Sequence, residues 1–422
     1  MRYYDYSQGD MNKNEKIPYD SEPIRRSNQT RKAVSGKTGG SSKVVTFLLV
    51  VLICFNIVLG FLVFKLNLNN QNTRTPVEVN YTINGDYANT TYIASKAMPS
   101  AVCIASGYNS YVPSASSLNY TNFQNMSDKG SGVITAIDKQ AGSATIVTCE
   151  HVVSGNQDSI FILLSDSYKP IKASYIGGIK EKDIAVLKIV DSDEIRSSSA
   201  MACTVADSMY IAQGNQVLAV GNPMATGFDT TAGIIRKTQT LLMVNNTGLE
   251  RVIATDVPIN SGNSGGGLFN SKGELIGIVN AKVEDVSIDN YTYAIPSNLA
   301  ISIANSIEKN EGEALKASLG LKFYTSEIGR ETQIIEGNTI YKDTVVVQEL
   351  VSGSDAAKAG IQNNDIVLSF TYHDSVTVDM LTAYSFEDHA YNIGVGDKVV
   401  FKLLRGSSSS PIYIEVVINH VV

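Results

Sequence analysis

The sequence predicts an all-β body, a barrel or a sandwich, followed by a smaller α+β domain and preceded by one transmembrane helix. Three observations carry that expectation. Between Tyr92 and Pro296, short β-branched runs recur, separated by Gly, Asn, Asp and Ser. After Lys309 the pattern restarts with strand-like and helix-like stretches mixed. Ahead of both, Val44 to Phe64 is a continuous apolar run.

That run, VVTFLLVVLICFNIVLGFLVF, is 21 residues without a charge, bracketed by Lys43 and Lys65. At about 1.5 Å rise per residue it crosses the roughly 30 Å hydrocarbon layer. A buried core helix would show a polar face, and only Thr46 and Asn56 interrupt this one. A cleaved signal would end in small residues, which Lys65-Leu-Asn-Leu-Asn does not supply. The expectation is an uncleaved span at 44–64. Residues 1–43 hold nine Lys/Arg against five acids, which places the N-terminus in the cytoplasm and the rest of the chain outside the cell membrane. The same segment lacks periodicity and reads as a disordered tail, and the Asn- and Thr-rich residues 65–91 read as a linker. The net charge is −7, so the chain beyond residue 43 carries −11, and nucleic acid is not an expected partner.

The body is assigned to residues 92–312. Its runs are AVCIAS, GVITAI, ATIVTC, IFILLS, DIAVLKI, QVLAVG, GIIRKT, TLLMVN, RVIATD, ELIGIV and YTYAIP, short strands with turn residues between them. Leu299 to Glu308 has apolar residues at helical spacing and reads as a closing helix. The second domain, 313–422, offers strands TVVVQELV, DIVLSF, DKVVFKLL and PIYIEVVI, with helical segments at Ser354 to Ala359 and Thr377 to Tyr391. Gly360 is placed to stop the first of these. Of the four cysteines, Cys54 lies in the apolar span, and Cys103, Cys149 and Cys203 form an odd set that cannot be fully paired.

Chemistry enters at Ile259 to Asn270, INSGNSGGGLFN. A glycine-rich loop of this kind is a turn, an anion cradle, or the seat of a serine nucleophile. A phosphate cradle wants Lys-Ser/Thr and then a helix, whereas Leu268 to Ile278 reads strand, turn, strand. A serine nucleophile wants a histidine to take its proton and a carboxylate to fix that histidine. Only His151 of the four histidines falls in the β-rich body, at the end of the run ATIVTC. Asp183 heads DIAVLKI, giving the chain order His151, Asp183, Ser264. The Gly262-Asn263-Ser264 turn can aim the N–H groups of Gly262 and Ser264 at one developing oxyanion. No metal-ligand motif and no cofactor motif is read.

These residues resemble the HtrA/Deg-type trypsin-like serine proteases, in a membrane-anchored bacterial form. The carriers are Gly130-Ser-Gly-Val133, Glu150-His-Val-Val153, Asp183-Ile-Ala-Val-Leu-Lys188, Ala219-Val-Gly-Asn-Pro223, Thr255-Asp256, Gly262-Asn-Ser-Gly-Gly266 and Tyr293-Ala-Ile-Pro-Ser-Asn298. The resemblance covers roughly residues 92–420 and implies a trypsin-like double β-barrel followed by a PDZ domain. It implies His151 as general base, Asp183 as its carboxylate, Ser264 as nucleophile, and the amides of Gly262 and Ser264 as the oxyanion hole. It further implies ATP-independent cleavage of unfolded or damaged exported proteins, a preference for small aliphatic side chains before the cut, and a homotrimer. In the PDZ domain, C-terminal peptides would be held by the loop Ser318-Leu319-Gly320-Leu321-Lys322, with Leu381 and Tyr384 as pocket residues. The family usually has Asn-Ala where this chain has Cys149-Glu150, and proline where it has Ser261 and Gly267. A regulatory protease, or a peptide sensor or chaperone with latent proteolysis, is the alternative function.

Overall fold

A computed structural model describes residues 90–107, 119–222, 227–244, 248–280 and 291–422. The apolar run at 44–64, the tail before it and nearly all of the linker after it lie outside these residues. Among the described residues, no helix is long and apolar enough to cross a membrane.

Twelve strands form two closed barrels. The first contains β1 (Ala101–Ser106), β2 (Asp128–Asp138), β3 (Ser143–Thr148), β4 (Ile160–Leu164), β5 (Ile171–Ile179) and β6 (Ile184–Ile189), in the order β1-β2-β3-β6-β5-β4. The second contains β7 (Gln216–Gly221), β8 (Asp229–Val244), β9 (Gly248–Thr255), β10 (Gly267–Phe269), β11 (Leu275–Asn280) and β12 (Thr292–Pro296), in the order β10-β11-β12-β9-β8-β7. Neighbouring strands within the barrels pair antiparallel, for example with Val133 opposite Val147 and Val220 opposite Gly267. The sequence expectation of a barrel or sandwich thus resolves into two barrels, which leave no strand edge open within either body.

Alternation along the strands fills the barrels. Ile104, Ile134, Ile146, Ile162, Leu164 and Leu187 are fully buried in the first, and Val217, Ile235, Ile253, Leu268 and Ile276 in the second. Burial of each such side chain contributes about 1.5–3 kcal/mol. The closing helix Ser297–Lys309 has Leu299, Ile303 and Ile307 four residues apart on one buried face. That face packs on β5, β6 and β11, so one helix spans both barrels.

The C-terminal region is one antiparallel sheet of β13 (Leu321–Ile335), β14 (Asn338–Leu350), β15 (Ile366–Tyr372), β16 (Val376–Asp379), β17 (Lys398–Leu404) and β18 (Ile412–Val417). The order is β13-β14-β15-β17-β18, with β16 paired to β15. Val345, Phe370, Val399, Phe401 and Val416 make its core. The helix Asp355–Ala359 is capped by the Ser354 side chain and ends at Gly360, whose φ is 96°.

The expected helix at Thr377 to Tyr391 needs correction. Val376–Asp379 is a strand, and only Glu387–Ala390 is helical. The β-branched Val376, Thr377 and Val378 pair with Tyr372, Thr371 and Phe370. The Ser385 hydroxyl then accepts the N–H groups of Leu381 and Thr382, which fixes a turn in place of a helix.

Candidate active site

The site forms where the ends of β3, β6 and β11 meet the loop before β10. His151 belongs to a one-turn helix, Glu150–Val153, entered from extended Cys149. Asp183 stands just ahead of β6 with φ of 54°, a left-handed conformation that Asp tolerates better than most residues. It is 2% exposed. Its Oδ1 accepts the His151 backbone N–H at 2.9 Å, and its Oδ2 lies 2.7 Å from His151 Nδ1. With the proton on Nδ1, the imidazole donates to Asp183 and presents Nε2 as a base.

Ser264 is buried in the loop between β9 and β10. Gly262 and Gly265 on either side have φ of 101° and 82°, the region that only glycine enters cheaply. A Cβ on Gly265 would lie 2.1 Å from Thr148 Oγ1 and 2.9 Å from the Cys149 nitrogen, so the serine loop abuts the histidine segment at backbone distance. The Val279 carbonyl accepts both the Gly265 N–H, at 2.8 Å, and the Cys149 thiol, at 3.4 Å. Ser131 ties the loop to the first barrel. Its N–H donates to the Ser264 carbonyl at 2.8 Å, and its hydroxyl donates to the Gly262 carbonyl at 2.7 Å while accepting the Asn222 N–H at 2.8 Å.

Sequence reasoning missed Asn280. It is 2% exposed, and its side-chain N–H donates to Asp183 Oδ2 at 2.9 Å, from β11 of the second barrel to the carboxylate of the first. A polar residue closing the apolar run Leu275–Asn280 was its one available signal. Ser131 was visible only as part of Gly130-Ser-Gly-Val133, with no role attached.

A second concave feature lies in the C-terminal sheet. A groove of about 430 Å³ runs between the start of β13 and the segment Ala383 to Ala390. Ser318, Leu319, Gly320, Leu321 and Lys322 all line it, opposite Ala383, Phe386, Glu387 and Ala390. Leu381 and Tyr384 are placed elsewhere. Leu381 is 2% exposed and packs with Met209 of the barrel region and Ile340. The Arg251 guanidinium sits 5.7 Å from the Tyr384 ring centre. Neither lines the groove, although their neighbours Ala383 and Phe386 do.

Residues 130–278 match the family model described as a trypsin-like peptidase domain. The serine protease Do-like HtrA of Lactococcus lactis subsp. lactis (strain IL1403) is 36% identical over 255 residues, 57% of this chain and 60% of that protein. The serine protease Do-like HtrA of Bacillus subtilis (strain 168) is 30% identical over 289 residues, 66% of this chain and 61% of that protein. The serine endoprotease DegS of Haemophilus influenzae is 29% identical over 322 residues, 75% of this chain and 84% of that protein. The chain thus spans about three fifths of the length of the two HtrA relatives. Double barrel, matched domain and shared identity agree: residues 130–278 form a trypsin-like peptidase domain, similar to that of the HtrA-type serine proteases.

Proposed function

We propose that the chain is a serine endopeptidase that cleaves unfolded or damaged exported proteins outside the cytoplasmic membrane, without ATP, through an acyl-enzyme. The observation that carries this reading is the 2.7 Å contact between His151 Nδ1 and Asp183, set beside a serine loop tied to the same segment through Val279 and Ser131. His151 Nε2 takes the Ser264 hydroxyl proton as Oγ attacks the scissile carbonyl carbon. The N–H groups of Gly262 and Ser264 hold the oxyanion, a role in which one donor is commonly worth about 10²- to 10³-fold in rate. His151 then gives its proton to the leaving amine, and water repeats the sequence on the acyl-enzyme. Asp183 stays ionised throughout and stabilises the imidazolium. Full-length protein should cleave casein, and Ser264→Ala should not; equal cleavage by both removes Ser264 from this role.

The groove of the C-terminal sheet fits a PDZ-type role. Among the described residues, β13 pairs only with β14 in the sheet order, so a peptide can add as a further strand along its start. Its terminal carboxylate would meet the loop Leu319-Gly320-Leu321, and apolar side chains would meet Phe323 and Phe386. The anchoring span at 44–64 and assembly as a homotrimer complete the proposal from the sequence.

One contact favours the regulatory reading. Lys182, directly before Asp183, bonds Glu250 at 2.6 Å and Glu387, a groove residue, at 2.9 Å. Burial works against the Lys182 charge, but Glu387 and Glu250 outweigh it and raise its pKa. Burial likewise opposes ionisation of Glu387, and Lys182 outweighs it, so that carboxyl is shifted down. Groove and catalytic carboxylate are therefore joined through one charged residue.

A further inference from the structure

The acyl-transfer reading leaves Cys149 without a part. Yet its sulfur, a His151 ring nitrogen and an Asp183 carboxylate oxygen all lie within 4.8 Å of one another. Cys149 and Asp183 are buried, and the His151 side chain is 21% exposed, which gives the cluster one side open to entry. We propose that Cys149, His151 and Asp183 form an inhibitory site for a soft divalent cation such as Zn²⁺, which switches the peptidase off reversibly. The inhibition rests on the peptidase reading above; the binding does not.

The donor set is of the kind zinc selects. Thiolate, imidazole and carboxylate supply three ligands, and a fourth position remains for water or a nearby oxygen. The Val279 carbonyl, 3.4 Å from the sulfur, is such an oxygen. Zinc bonds of about 2.0–2.3 Å place tetrahedral ligand atoms roughly 3.5 Å apart, so atoms as far as 4.8 Å from one another would close by at most about 1.3 Å while the His151–Asp183 contact, now 2.7 Å, would open by about 0.8 Å. Charge favours it as well. Two anionic ligands neutralise the dication, whereas Asp183 alone would leave a buried positive charge, which is costly.

The step exchanges a proton for metal without redox change. The S–H bond of Cys149 breaks and its proton passes to solvent, the single ring proton of His151 leaves Nδ1 and is taken up at Nε2 through solvent, and bonds from sulfur, Nδ1 and carboxylate oxygen to the ion form, with one proton released per ion. A metal on Nδ1 puts the remaining ring proton on Nε2. That nitrogen then donates and cannot take the Ser264 proton, so acylation stops. In the sequence, Cys149 and His151 are only two residues apart and Asp183 lies in another motif, so the set is legible only in the fold.

Two titrations on the full-length chain test this. Co²⁺ added to Ser264→Ala should produce a thiolate-to-cobalt charge-transfer band, absent when Cys149→Ser is added to the same background. Zn²⁺ added to the active protein should abolish cleavage of a small peptide substrate, and chelator should restore it. Cys149→Ser, referred to its own metal-free rate, should need at least the roughly 10- to 100-fold more zinc that even an outer-sphere ligand partner is worth. No band in the Cys149 protein overturns the site. Equal zinc sensitivity of Cys149→Ser overturns it too, because the ion then sits elsewhere, and a band without lost activity overturns the inhibition. Protein inactive without any metal refutes the peptidase reading, while the cobalt band still decides the site.

Discussion

Asp183 Oδ2 takes two donors at once, His151 Nδ1 at 2.7 Å and the Asn280 amide at 2.9 Å, while Oδ1 holds the His151 backbone. Three donors fix the Asp183 carboxylate in place. Asn280 acts on Asp183 through this bond, as a positioning residue. Hydrogen bonds to charged groups contribute about 1.5–3 kcal/mol, so Asn280→Ala should lower kcat roughly 10- to 100-fold with little change in KM. Steady-state kinetics on a peptide substrate check this, and unchanged kcat removes the positioning role. Replacement by Asp should be worse than Ala, since it sets two carboxylates together, whereas a purely structural role would not rank them so. His151, Asp183 and Ser264 could be put forward from the sequence because each sits in a recognisable motif and the body holds a single histidine. Asn280 was not, because its partner is 97 residues away on the other barrel and no local pattern marks such a contact.

Strands were legible where β-branched residues cluster, and illegible where packing across the barrel does the work. Ile171–Ile179 interleaves Lys, Ser and two glycines with its apolar residues, so it does not stand out. GIIRKT and TLLMVN, separate in the sequence pattern, run together as one strand, Asp229–Val244, whose register shifts between Ile235 and Thr240. Packing inside β10 also accounts for the glycine at 267. A Cβ on Gly267 would lie 2.4 Å from the Phe269 ring, which is fully buried, so in this chain Phe269 fills the space a larger residue at 267 would need. Overpacking of this kind costs about 1–3 kcal/mol. Gly267→Ala should destabilise by that amount in urea unfolding, and Phe269→Leu in the same chain should recover part of the loss. Additive losses in the double variant would show that the two positions do not share this space.

At the scale of the molecule, two of the charged contacts that join the C-terminal sheet to the barrels differ in kind. Arg251 of β9 pairs with Asp388 with both side chains almost wholly buried. Burial pushes the Asp388 carboxyl up to about 6 against the opposing pull of Arg251, and its Oδ2 has no hydrogen-bond partner among the described residues. That pair is a fastening, costly to break from one side. The Lys182 contact is different in kind, because Lys182 adjoins Asp183 and its partner Glu387 lines the groove. A peptide entering the groove must work against or beside Glu387, and any shift of that carboxylate changes what holds Lys182. Coupling between sites is typically about 1–3 kcal/mol, or roughly 5- to 150-fold. A peptide with a free apolar C-terminus should therefore change kcat on a small substrate by about fivefold or more, and the same peptide amidated should not. Glu387→Gln should bind the free peptide, by fluorescence anisotropy, yet lose the change in kcat. If the effect survives in that variant, the groove reaches Asp183 by another route. If wild type shows no effect while binding the peptide, Lys182 is a fastening like Arg251, and the two halves of the chain work independently.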